Sequence, residues 1–192
     1  VLSTPAYLPD ICEVIRTDHS QTAADLERLV ACVDSYERRH LFRALARRLA
    51  VHEGAEEEVV YPLLARMGGD ADRIRQRRLE EEREAKVLLA AMMRRELLNP
   101  ASRHFVADIE KLADMVRIHA AAEESEVLPL LAEAHDETKR RVLATLFDQA
   151  KATAPTRPHP HGPQALAGLL ATGPVLAVVD RVRDLGRRVL VR

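Results

Sequence analysis

The chain has 192 residues, of which 47% are hydrophobic, 31% charged and only 3% aromatic. That length suffices for one domain with its own core. A formal net charge of −1 gives none of the overall basic signal of a nucleic-acid-binding protein, and no leader-like segment or membrane-spanning apolar run is visible.

From about Asp10 to Val33, Ile11, Ile15, Ala23, Leu26, Val30 and Val33 fall on one helical stripe. A second helix is expected over 37–67, carrying Leu41, Leu45, Leu49, Val59 and Leu63. A third is expected over 71–98, with Ile74, Ala85, Leu88, Leu89 and Met92, and a fourth over 102–134, with Phe105, Ile109, Leu112, Val116 and Leu130. Asp34-Ser35, Gly68-Gly69-Asp70 and Asn99-Pro100 read as the turns between them. Pro62 and Pro129 are expected to kink or loosen the ends of the second and fourth helices. A shorter fifth helix is expected over 136–152, and nothing alternates like a strand. Short links between long amphipathic helices predict an all-α fold: an antiparallel up-down four-helix bundle with one trailing helix, spanning residues 10–152.

The stretch TAPTRPHPHGP then brings four prolines, so residues 153–173 read as a Pro-rich linker. Gly173-Pro174 opens a tail helix over 174–192, with Val175, Val178, Val179, Val182 and Val189 on one face. That face suits docking on the bundle or on a second copy as a homodimer; its arginines also suit a basic helix on a membrane surface or a partner. Cys12 and Cys32 share one expected helix, about 30 Å apart at ~1.5 Å per residue, too far to bridge. The expectation is a reducing, cytoplasmic compartment.

One phrase occurs twice. Residues 51–65 read VHEGAEEEVVYPLLA and residues 118–132 read IHAAAEESEVLPLLA, 67 positions apart (119 − 52). His52 with Glu56, and His119 with Glu123, are four apart and share a helix face. Each pair interrupts an apolar stripe, and His19 does the same between Ile15 and Ala23. Burying such groups unpaired would cost several kcal/mol, on the order of 2–7 for each neutral polar group.

Their heights along a bundle can be compared. Residues level across an antiparallel hairpin are equidistant from its turn. The midpoint of 19 and 52 is 35.5, at the first expected turn. Reflecting position 54 through Gly68 gives 82, where Glu82 stands, and the midpoint of 82 and 121 is 101.5, beside Asn99-Pro100. His19, His52, Glu56, Glu82, His119 and Glu123 can therefore share one layer. Three imidazoles and three carboxylates are a ligand set suited to iron, manganese or zinc, with carboxylates bridging paired ions. The alternative is a set of hydrogen-bonded His–Glu pairs that only fix helix register. Tyr61 reads as a packing or supporting residue, Met92, Met93 and Met115 as core fillers, and His40, His104 and His135 as solvated. His159 and His161 are weak metal candidates on the linker.

With these residues in view, the segment from Asp10 to Ala134 resembles the hemerythrin-like proteins, the histidine–histidine–glutamate cation-binding family. His19 in TDHSQ is similar to the family's first-helix ligand. His52 with Glu56, followed by Tyr61-Pro62, and His119 with Glu123 are similar to its second- and fourth-helix pairs. The resemblance implies a non-haem centre of two iron ions bridged by the two glutamates and a solvent-derived oxygen. It implies a small diatomic or peroxide as ligand: oxygen, nitric oxide or peroxide. The third helix departs from the pattern. The family has one or two histidines there, whereas this chain reads RQRRLEEEREAKVLL, with Glu82 at the expected position, Glu81 as the alternative by helical phase, and Arg77 or Arg78 upstream. Glutamate in place of histidine makes a site harder and more anionic, which favours ferric iron and makes simple reversible oxygen carriage less expected. A di-iron oxidase, oxygenase or catalase-like enzyme is the second reading, and a metal-free interaction bundle the third.

Overall fold

The computed structural model describes residues 8–99 and 101–157; most of the expected linker and the whole tail helix over 174–192 lie outside the described residues. Helix α1 spans Ile11–Ala31 and starts in a capping box: Asp10 accepts from the backbone of Cys12 and Glu13, and Glu13 accepts from the backbone of Asp10. Helix α2, Ser35–Ala55, is capped by Asp34. Helices α3 (Tyr61–Met67) and α4 (Gly69–Leu98) meet at Gly68 and Gly69, whose φ values of 68° and 54° allow the chain to reverse within two residues. Ser102 caps α5, Arg103–Ala122; α6 follows at Leu128–Ala134, and Asp136 caps α7, Glu137–Thr153.

The two long arms are interrupted where the repeated phrase runs. Between α2 and α3 lies a π-helical turn, Glu56–Val60, and between α5 and α6 a second, Glu123–Val127. Each begins at the glutamate of its His-x-x-x-Glu unit and ends two residues before proline. Pro62 and Pro129 have no N–H for the carbonyl four residues back, and their rings crowd it. The wider turn accommodates this, with Tyr61 N–H bonded to Glu56 O and Leu128 N–H to Glu123 O. The expected kink is thus an extra residue in the turn just before each proline.

The arms α1, α2–α3, α4 and α5–α6 close an antiparallel up-down bundle, α5 returning against α1, and α7 lies against α1, α2 and the first π turn. The apolar interior comes in two parts. One is built on Ile11, Ile15, Leu64, Leu128, Leu131 and Phe147. The other is built on Leu26, Leu45, Leu89, Met92, Phe105 and Leu112, where Phe42 and Phe105 meet edge to face. The stripe expectation fails for Val30 and Val33, which are 43% and 88% exposed. Val30 sits in the last turn of α1, and Val33 lies beyond its end at Ala31, where helical phase no longer applies. Leu29 is buried instead. Cys12 is buried, Cys32 is partly covered, and both are free thiols. Among the described residues no helix is long and apolar enough to cross a membrane.

Candidate metal centre

Between the two apolar parts lies a polar layer, and the six residues expected from the sequence meet in it. His19, His52, Glu56 and Glu123 each bring one ligand atom within 4.8 Å of the others; so do Glu56, Glu82, His119 and Glu123. The two groups share Glu56 and Glu123. These two and Glu82 are about 1% exposed, His19 and His52 are buried, and the side chain of His119 is 15% exposed. Glu82 rather than Glu81 is the α4 residue in the layer.

Each imidazole is held from outside by a carboxylate on another helix. His52 Nδ1 lies 3.3 Å from Asp18 Oδ2, His19 Nδ1 2.9 Å from Glu124 Oε1, and His119 Nδ1 2.9 Å from Glu81 Oε2. Each ring then turns Nε2 inward onto a carboxylate: His52 Nε2 lies 3.1 Å from Glu56 Oε1, and His19 and His119 Nε2 lie 3.3 and 3.5 Å from Glu123 Oε2, yet none of the three buried Nε2 atoms, nor Glu123 Oε2 or Glu56 Oε2, is in a well-formed hydrogen bond. Buried polar atoms are rarely left so. Nδ1 bonded to an outer acceptor with Nε2 turned toward shared carboxylates is the arrangement of a metal-ligating histidine. The donor set, mixed imidazole nitrogen and carboxylate oxygen, fits a borderline or hard divalent ion.

Further groups belong to the layer. Tyr61 Oη lies between Glu82 Oε1 and Glu123 Oε1, the latter at 2.9 Å. Burial, then the nearby carboxylates of Glu123 and Glu82, push its phenol well above the usual range. Lys86 reaches Glu82 Oε2 at 3.0 Å and also contacts Glu57 and Glu53. Burial alone would lower the Lys86 ammonium, but Glu82, Glu53 and Glu57 outweigh it and hold it above the ordinary lysine range. Glu53 is buried beside His52, and desolvation raises its carboxyl to about 7 against the pull of Lys86. Burial also opposes charge on His119, yet Glu123 and Glu81 bring that imidazole up to about 9. Arg78, 4% exposed, pairs with Glu81 at 2.7 Å.

The sequence reading missed Asp18, Glu124, Glu53 and Lys86, and placed Glu81 only as a rival ligand. A signal existed: Asp18, Glu81 and Glu124 each adjoin a residue of the layer, so the flanks of Asp18-His19, Glu81-Glu82 and Glu123-Glu124 reach across to another helix's histidine.

The Hemerythrin HHE cation binding domain matches residues 10–131. This chain belongs to the hemerythrin HHE family. Among curated proteins, this hemerythrin-like chain is 24% identical over 181 residues to an uncharacterized hemerythrin-like protein of Schizosaccharomyces pombe, covering 91% of this chain and 85% of that one. It is 29% identical over 142 residues, 74% of its own length, to a DNA nickase of Nostoc sp., of which it spans only 39%. No solved structure matches the chain significantly.

Proposed function

We propose that this cation-binding bundle holds two iron ions and that a small ligand, oxygen, nitric oxide or peroxide, reacts there. His19 and His52 would serve one ion, Glu82 and His119 the other, and Glu56 and Glu123 both. The observation that carries this is the set of three inward-turned Nε2 atoms, each ring braced at Nδ1 by an outer carboxylate, around two shared carboxylates. Bound iron would supply redox chemistry and an open coordination position. Glutamate at position 82 adds a negative charge where the family places a neutral imidazole, and Lys86, 3.0 Å away, offsets part of it.

The size of the approach favours a small ligand. A cavity of about 50 Å³ adjoins the layer, lined by His19, His52, Glu82 and His119 with Leu26 and Leu49 among its apolar walls, and exposed Arg117 belongs to its wall. At roughly 10–15 Å³ for each water centre it has room for about three to five waters. That accepts a diatomic or peroxide and is tight for an organic substrate. The nicking activity named for the Nostoc protein has little support here: along α4, Arg73, Arg77 and Arg83 are paired with Asp70, Glu126 and Glu80.

Iron analysis after anaerobic loading tests the proposal, with an optical spectrum taken before and after peroxide. The expected result is about two irons per chain, visible charge-transfer absorption after oxidation, and loss of that absorption in His52→Ala. Less than one iron per chain would leave the interaction-bundle reading in its place.

A further inference from the structure

Helix α7 lies wholly beyond the segment matched by the family, which ends at residue 131. Its last turns nevertheless reach the polar layer. Lys151 Nζ donates to Asp18 Oδ2 at 2.6 Å, and that same oxygen lies 3.3 Å from His52 Nδ1. The Phe147 ring packs edge-on against the His52 ring at 5.8 Å between centroids, and Lys151 Nζ lies 5.7 Å from the Phe147 centroid. Beside His52, Gly54 leaves space that the end of this segment uses: a Cβ added there would lie 3.4 Å from Ala154 Cβ.

We infer that Lys151 is a positioning residue for the His52 half of the centre, acting through Asp18, and that the last turn of α7 thereby braces His52 from outside. The inference rests on the proposed metal site. A charge-assisted bond fixes the rotamer of Asp18. Asp18, so fixed, receives Nδ1–H of His52 and keeps its Nε2 turned inward. His119 is braced differently: it is held by Glu81, and Glu81 by Arg78, all on bundle helices. The two histidines therefore differ in what supports them. Lifting the last turn of α7 releases Asp18 and His52 and leaves His119 and Glu82 in place.

The test compares four single variants of the full chain: Asp18→Asn, Lys151→Met, Lys151→Arg and Arg140→Met. The last cuts the tie between Arg140 and Asp10, 2.8 Å long at the opposite end of the same helix, and so loosens α7 without touching Asp18. Two readouts are taken: nitrogen resonances of the histidine rings in the metal-free protein, and affinity for ferrous iron by anaerobic competition with a chelator. Asp18→Asn is expected to weaken one of the two iron-binding steps ~10–100-fold, the range for groups that orient a ligand histidine, and Lys151→Met the same step by about tenfold. In Lys151→Met the His52 resonances move and those of His119 stay. Lys151→Arg restores both readouts, and Arg140→Met leaves both unchanged. Unmoved His52 resonances in Lys151→Met overturn the inference, as does an Arg140→Met variant that behaves like Lys151→Met, since α7 would then act by packing alone. If the wild-type chain binds no iron, the proposed function falls, and the ring resonances still decide the role of Lys151.

Discussion

Tyr61 shows how much the layer asks of single side chains. Its hydroxyl has one proton and lies against oxygens of two buried carboxylates, Glu82 and Glu123. Removing the hydroxyl leaves both oxygens without that donor inside the protein, where an unsatisfied group costs on the order of 1–3 kcal/mol. Tyr61→Phe should therefore destabilise the metal-free protein by about that much, read as a lowered urea midpoint at unchanged m-value; an unchanged midpoint would mean the carboxylates find another donor. The central residues were legible in the sequence because His-x-x-x-Glu on an apolar stripe fixes a helix face, and reflection through the turns fixes height. The outer carboxylates were not, because Asp18, Glu81 and Glu124 sit among many charged neighbours, and only the packing of helices tells which of them faces a histidine. Lys86 was hidden for the same reason: the helical period puts it four residues after Glu82, but its reach to Glu57 on another arm depends on the bundle.

At the level of helices, caps and links between ends carry pH-dependent stability. Asp10 caps α1 and also pairs with Arg140 of α7 at 2.8 Å. Partial burial works against its charge, but the bonds from Arg140 and from the backbone of Glu13 and Cys12 prevail and lower its carboxyl below 3.8. A carboxyl depressed in the folded state contributes stability above its unfolded value, and that contribution is lost as pH falls through the folded value. Asp10→Ala should thus cost about 1–2 kcal/mol near neutral pH, the size of a lost N-cap with some ion-pairing added. The difference from wild type should shrink as pH drops below about 4. Chemical unfolding of both proteins between pH 3 and 7 checks this, and a gap that stays constant down to pH 3 would assign the loss to packing instead. The two π turns belong to the same scale. The prolines announced a disturbance in the helices, but choosing between a kink and an inserted residue needs the register that the two shared glutamates must keep.

For the molecule as a whole, the deciding feature is a core divided by charge. The helices, their turns and the antiparallel order were all legible, because apolar period and Gly, Asn and Asp punctuation are local signals. That α7 would close the side of α1 and α2 beside His52 was not, since its amphipathic face fits any groove of similar width. Three buried carboxylates and three imidazoles separate the apolar parts, so cohesion across the middle depends on what balances those charges. Ions that bind only the folded state add stability as the logarithm of their concentration over Kd, about 2.7 kcal/mol for each site at a hundredfold excess. Two sites give roughly 5 kcal/mol, which for a domain of this size raises Tm by about 10–20 °C. Calorimetry of iron-loaded protein against the same protein stripped with a chelator should show that difference. Glu56 belongs to both groups and Glu82 to one. Glu56→Gln should therefore abolish most of the rise on loading, and Glu82→Gln about half of it. Equal loss in the two variants would mean that the halves bind as one unit, and an undiminished rise in Glu56→Gln would place the metal elsewhere in the chain.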